Sequence, residues 1–249
     1  MSGHAKWSTI KRKQGAADAR RSKIWAKLLR AVEVAAREGG GNVEANPTLA
    51  SAVEKAKGSS VPNDNITRAI KRGTGELQGE AYDTFAFEGY GPGGVAVLVS
   101  CVSNNRNRAA QDVRSAFNSH DGKLAEPGAV SWMFEAKGVV VVNKGGASED
   151  DVFLLAADAG AEDVRGSEDT IEVITPPEAL KAVRDALAEG GVDVDSYELT
   201  QVPKTTIALD ESDAKKVLGL IEHLEELDDV QDVYANFDIS DDVLAAVAS

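Results

Sequence analysis

Three stretches of the chain carry residue types and spacings able to do chemistry. The first is basic: Gly3-His4-Ala5-Lys6-Trp7, then Lys11, Arg12, Lys13, Arg20, Arg21, Lys23, Lys27 and Arg30. Cationic side chains neutralise phosphates and release their counterions, and the rings of His4 and Trp7 can stack on a base or a sugar. A Trp7 that tacks this arm onto the helices behind it is the competing reading. The second stretch is Asn104-Asn105-Arg106-Asn107-Arg108, ahead of a predicted helix. Asparagines there cap free amides, and with Arg106 and Arg108 the same helix start has the makings of an anion site. The third is Gly89-Tyr90-Gly91-Pro92-Gly93-Gly94, a formal GxGxxG. A dinucleotide fingerprint needs a strand before it and a helix after it. Here a strand-like run, Val95 to Val102, follows, so the glycines point to a tight turn between strands.

Other chemistries find no foothold in the sequence. His4, His120 and His223 lie at no metal-ligand spacing, and HExxH and GxSxG are missing. The single cysteine, Cys101, excludes an internal disulfide and a thiolate cluster. It falls in a predicted strand, as a small buried hydrophobe would. The carboxylates are dispersed. No catalytic residue, metal ligand or cofactor is assigned, and the expectation is a non-enzymatic protein.

Charge locates the partner. Residues 1–78 hold 15 Lys+Arg and 7 Asp+Glu, a net of +8, whereas 79–249 hold 12 and 34, a net of −22. Such asymmetry points to a partner of opposite sign at one end. The 249 residues are 43% hydrophobic and 27% charged, in the globular range. No apolar run reaches the length of a membrane span, and no apolar segment follows the charged N-terminus as a secretory signal requires. A cytoplasmic location is the resulting expectation.

The elements that must position these residues begin with an arm, partly extended, over residues 1–20. A helix is predicted over 19–38, with Ile24, Leu28, Ala31, Val32 and Ala35 on one stripe. Gly39-Gly40-Gly41 ends it. Asn46 as cap and Pro47 at the first helical position start a second helix, to about Gly58. A third spans 63–72 and leaves Arg68, Lys71 and Arg72 outside. Strands and helices alternate from about residue 79. The run 138–199 reads strand, helix, strand, strand, helix, strand, the ferredoxin-like order. The flanking pieces 95–134, with a strand expected at Val130 to Phe134, and 205–237 add up to the same order. The predicted fold class is α+β: an N-terminal three-helix bundle plus two ferredoxin-like α/β domains, one inserted in the other. The domains are 1–78, a split domain of 79–135 with 203–240, and an insert of 136–202.

These motifs resemble the YebC/PmpR family, whose eukaryotic relative is the mitochondrial translational activator of cytochrome c oxidase subunit one. The resemblance covers nearly the whole chain. Besides Gly3-His4-Ala5-Lys6-Trp7 it rests on Asn46-Pro47 with Leu49 and Ala52-Val53-Glu54-Lys55-Ala56-Lys57. It continues in Val61-Pro62-Asn63-Asp64-Asn65-Ile66, Arg68-Ala69-Ile70-Lys71-Arg72-Gly73, Glu88 to Val95 and Asn105-Arg106-Asn107-Arg108. Two positions depart from the family pattern: Ala5 stands for the usual serine, and Ser103-Asn104 for the usual Thr-Asp before Asn105. The resemblance implies three domains and a role in gene expression, either as a DNA-binding transcriptional regulator or as a ribosome-associated translation factor that relieves stalling at proline-rich stretches. The expected partner is nucleic acid, DNA or ribosomal RNA, with the ribosome as a further candidate. The alternative of another class is a small-molecule-binding α/β protein using the Gly89 to Gly94 loop. Candidate nucleic-acid contacts are His4, Lys6, Trp7, Lys11, Arg12, Lys13, Arg20, Arg21, Lys23, Lys27, Arg30, Arg68, Lys71, Arg72, Arg106 and Arg108. The sequence leaves the oligomeric state open.

Overall fold

The computed structural model describes residues 18–145, 147–167 and 170–248. The arm expected over 1–20 therefore lies outside the described residues as far as 17. Three helices come first: α1 (Asp18–Gly39), α2 (Pro47–Gly58) and α3 (Asn63–Gly73). Val32, Ala35 and Ala36 of α1 bury against Leu49, Val53 and Ala56 of α2 and Ile66 and Ala69 of α3. Ile24, placed on the inward stripe by its spacing, is instead 41% exposed. It stands near the N-terminal end of α1, away from the stretch of that helix which forms the core.

Two local devices fix the bundle. Asn46 is buried and accepts from Leu49 N at 3.1 Å, which caps α2. Its amide also donates to Ala35 O at 2.8 Å and Gly40 O at 2.9 Å, so one side chain ties the end of α1 to the start of α2. At Gly73 an added Cβ would meet Glu33 O at 2.2 Å, so only glycine lets α3 come this close to α1.

The rest of the chain is α/β. Its elements are β1 (Asp83–Tyr90), β2 (Ala96–Ser103), α4 (Arg106–Ser119), β3 (Lys123–Leu124), β4 (Phe134–Asn143), α5 (Glu149–Ala157), β5 (Asp163–Gly166) and β6 (Thr170–Thr175). There follow α6 (Leu180–Glu189), β7 (Val194–Pro203), β8 (Ile207–Ala208), α7 (Glu211–Glu226), β9 (Val230–Ala235), β10 (Phe237–Asp238) and α8 (Asp241–Ala248). The chain separates into two compact units, 134–202 and the remainder. In the first, β4 to β7 form a sheet of order β5-β6-β4-β7, with β6 antiparallel to both of its neighbours. Alternate residues of β4, Val140 and Val142, face Val152 and Ala156 of α5 and Val183 and Leu187 of α6. This is the ferredoxin-like order expected from the sequence.

The larger unit joins the bundle to a sheet of order β3-β1-β2-β9. Val97, Val99 and Cys101 of β2 pack on Val113, Ala116 and Phe117 of α4 and on Val217, Leu220, Ile221 and Leu224 of α7. The sheet opens with a hairpin, β1 antiparallel to β2, and β8 pairs apart from it, parallel to β10. The strand expected at Val130 to Phe134 is not there: 131–133 is a 3-10 turn, and Phe134 already belongs to β4. The reason is Glu88. Its buried carboxylate accepts from Gly128 N at 2.7 Å, Val130 N at 2.7 Å and Ser131 N at 2.8 Å, so these amides cannot join a ladder. Burial pushes this carboxyl up, but the three amides and the Ser131 hydroxyl outweigh it and hold it below the usual range.

Candidate nucleic-acid interface

The pairing of β2 with β9 decides what lies beside the basic loop. Cys101 faces Val230, and Val102 N donates to Asp229 O at 2.9 Å. The end of β2 therefore adjoins the corner between α7 and β9, an acidic run of Glu225, Glu226, Asp228 and Asp229. Beyond β2, Ser103 Oγ accepts from Asn105 N at 3.0 Å, and Asn105 Oδ1 accepts from Arg108 N at 3.1 Å, which caps α4. Arg108 then turns to the corner. Its Nε and Nη2 donate to the two oxygens of the buried Asp229 at 3.0 and 2.8 Å, a two-pronged grip that raises its pKa. Arg106 goes elsewhere, over the Phe85 ring at 5.1 Å.

The basic stripe of α1 meets the same corner. Lys23, Lys27 and Arg30 fall at i, i+4 and i+7, hence on one face. Lys23 pairs with Asp228 at 3.0 Å. Lys27 Nζ donates to Glu225 O at 2.6 Å, and Arg30 Nη1 to Asp228 O at 3.0 Å and Val102 O at 3.2 Å. Arg30 also lies 3.7 Å from Asp229 and stacks over Tyr82 at 5.4 Å. Two of these acceptors are carbonyls at or just past the end of α7, where a helix leaves carbonyls unpaired and its dipole is negative. The cations of α1 thus cap α7. Burial, then the nearby Lys23 charge, pulls the Lys27 ammonium down to about 8. The Lys23 ammonium, with Lys27 and Arg30 behind it, holds Asp228 below the usual carboxylate range. Lys55 of α2 adds a pair with Asp232 of β9 at 3.6 Å. A polar cleft of about 580 Å³ remains, lined by Lys23, Arg30, Tyr82, Arg108, Asp228 and Asp229 among others.

The other candidates are placed differently. His4, Lys6, Trp7, Lys11, Arg12 and Lys13 lie outside the described residues, and Arg20 stands on the first turn of α1. Arg21 is exposed on the next. On α3, Arg68 and Lys71 are exposed. Arg68 bonds within its own helix, to Asp64 O and Asn65 Oδ1. The Lys71 ammonium has no partner among the described residues. Arg72 reaches the buried Glu33 at 3.8 Å, which Arg37 also approaches at 3.4 Å. The structure therefore brings Lys23, Lys27, Arg30 and Arg108 together on an acidic corner, and leaves Arg68, Lys71 and Arg106 outside it.

Sequence reasoning misses the anionic half of this arrangement. The run Glu225 to Asp229 is visible as a cluster, but nothing local marks it as the counterpart of α1. It also misses the pairing of His120 and His223, whose rings lie 5.1 Å apart. The Gly89 to Gly94 stretch forms the turn of the β1/β2 hairpin, closed by Gly91 N to Val95 O at 2.8 Å, and no helix follows it. Cys101 is buried, and desolvation pushes its thiol up to about 12. Among the described residues no group of three or more His, Cys, Asp and Glu has the arrangement to hold a metal ion, and no helix is long and apolar enough to cross a membrane.

Comparison with known proteins places the chain. Residues 5–76 match the model of the TACO1/YebC protein N-terminal domain, and 82–237 match that of the TACO1/YebC second and third domain. A probable transcriptional regulatory protein of Salinispora arenicola is 53% identical over 246 residues, which cover 98% of this chain and 99% of that protein. One of the same description from Beutenbergia cavernae is 56% identical over 247 residues, 98% of either chain. The crystal structure of a conserved hypothetical protein from Aquifex aeolicus superimposes with a TM-score of 0.79 at 45% identity, covering 90% of this chain and 93% of that one. With both domain models matched over most of its length and relatives of this identity covered almost in full, this chain belongs to the TACO1/YebC family.

Proposed function

We infer that this protein is a nucleic-acid-binding regulator of gene expression, acting in the cytoplasm without catalysing a reaction. Its contact surface is the basic N-terminal segment. The observation that carries this reading is the division of charge: +8 over residues 1–78 against −22 over the rest. A polyanion is attracted to one end of such a chain and repelled by the other. The relatives' description as probable transcriptional regulatory proteins agrees with a nucleic-acid partner. Phosphate contact falls to the arm with Arg20 and Arg21 behind it, to Arg68 and Lys71, exposed on α3, and to Arg106. Lys23, Lys27, Arg30 and Arg108 have carboxylates or helix-end carbonyls of their own and serve mainly to seat the bundle.

The test is binding of the full chain to labelled duplex DNA and to structured RNA across a salt series. Arg68→Glu with Lys71→Glu is expected to weaken binding and to lower the salt slope by about 0.7–0.9 for each phosphate no longer engaged. Unchanged affinity and slope would remove these two residues from the surface, and a parent chain that binds neither polymer would end the reading. Co-sedimentation with ribosomes, challenged by duplex DNA, separates a transcriptional role from a translational one.

A further inference from the structure

A second surface lies at the end of β1 that leads into the β1/β2 hairpin. Trp132 is 63% exposed and Tyr90 37% exposed. They are not loose. The Tyr90 hydroxyl and the Trp132 indole N–H both donate to Ala129 O, each at 3.1 Å, so the two polar tips converge on a single acceptor. Ala129 is itself held, because Glu88 grips the amides of Gly128, Val130 and Ser131 on either side of it. A buried carboxylate thus rigidifies a short loop that holds both aromatic side chains by their polar tips while part of each stays open to solvent.

The charge beside these rings has the sign that attracts phosphate. Lys123 of β3 sits directly opposite Tyr90 in the antiparallel pairing. Lys204 N donates to Met133 O at 2.8 Å, which sets that residue next to Trp132. Both lysines are exposed, and neither ammonium has a partner among the described residues. On the loop itself, residues 125–133, Glu126 is the one carboxylate.

We propose that Trp132 and Tyr90 form a stacking platform for unpaired bases of a single-stranded nucleic acid, with Lys123 and Lys204 flanking its phosphates. This rests on the nucleic-acid reading above and adds a second, base-dependent contact to it. The committed donors favour a base over a peptide. A peptide laid on these rings brings backbone carbonyls that need donors, and both ring donors are already engaged by Ala129. A base asks only for a π-face and a nearby cation, and every base offers the complementary face.

The experiment uses the full chain labelled with 5-fluorotryptophan and followed by fluorine NMR, the Trp132 line being the one that disappears in Trp132→Leu. The probes are a single strand of about 12 nucleotides, a duplex of the same length and an abasic strand of the same length. The Trp132 line is expected to move with the base-bearing single strand and to stay in place with the abasic one. Trp132→Leu is expected to weaken single-strand binding on the order of tenfold, leaving duplex and abasic binding unchanged, with Trp132→Phe restoring most of the affinity. Binding of the single strand without movement of the line, or with undiminished affinity in Trp132→Leu, overturns the platform while leaving the basic segment standing. So does a line that moves with a proline-rich peptide and not with the strand. A parent chain that binds no nucleic acid of any kind overturns both readings together.

Discussion

Lys27 is an ammonium placed where water is scarce, with a helix-end carbonyl for a partner and another lysine nearby. Its pKa falls to about 8, against an ordinary value of ~10.4 in an unfolded chain. Between those two values the unfolded chain binds more protons than the folded one, so stability rises with pH across that window. Below about 8 the full cost of holding the charge is present, and above ~10.4 it has vanished. Replacing Lys27 with Met removes the titration. The parent should therefore gain about 1–2 kcal/mol on Lys27→Met between pH 8 and pH 10 in denaturant melts. Parallel stability curves for the two proteins would mean that Lys27 is not buried against α7. To leave the carbonyl of Glu225 for a phosphate, Lys27 would first need α1 to lift from the corner.

At the scale of elements, the junction of α1 and α2 depends on one side chain. Asn46→Ala removes the cap on Leu49 N and the two donors that reach Ala35 O and Gly40 O. The expected loss is about 2–3 kcal/mol, read as a lowered melting temperature. Asn46→Asp keeps the capping oxygen but not the donors, so it should fall between. Equal losses from Asp and Ala would place the whole effect in the donors. This junction is legible in the sequence because Asn-Pro after a glycine run is local chemistry: a capping oxygen, then a residue that needs no amide partner. The ferredoxin-like insert is legible for a similar reason, its apolar periods switching at turn residues. The strand expected at Val130 to Phe134 is a different matter. Its amides are taken by Glu88, 42 residues from Val130, and no local pattern records a carboxylate that distant. The candidate site divides along the same line. The concentration of Lys and Arg on α1 is plain in the sequence. That part of it faces Glu225 to Asp229, with Lys27 and Glu225 198 positions apart, follows only once β2 and β9 have paired.

At the scale of the whole molecule, a bundle of net positive charge is seated on a strongly negative body, and the seating engages cations that a polyanion would otherwise meet. Asp228 and Asp232 hold Lys23 and Lys55 at 3.0 and 3.6 Å. Changing both carboxylates to asparagine should act in two ways on nucleic-acid binding. It lowers the long-range repulsion by two charges, which raises association at low salt and fades as salt screens it. It also releases Lys23 from its pair and loosens the hold on Lys55, which steepens the dependence of log affinity on log salt by up to about 0.9 for each additional phosphate neutralised on duplex DNA. A control separates the two effects. Glu178→Gln with Glu189→Gln alters the net charge equally on two exposed carboxylates of the inserted unit, neither of which holds a lysine or arginine among the described residues. That control should shift affinity slightly at low salt and leave the slope alone, whereas Asp228→Asn with Asp232→Asn should change both. Anisotropy titrations at three salt concentrations distinguish the pair. If both double variants behave alike, net charge alone governs encounter, and the acidic corner has no part in setting how many cations the nucleic acid can reach.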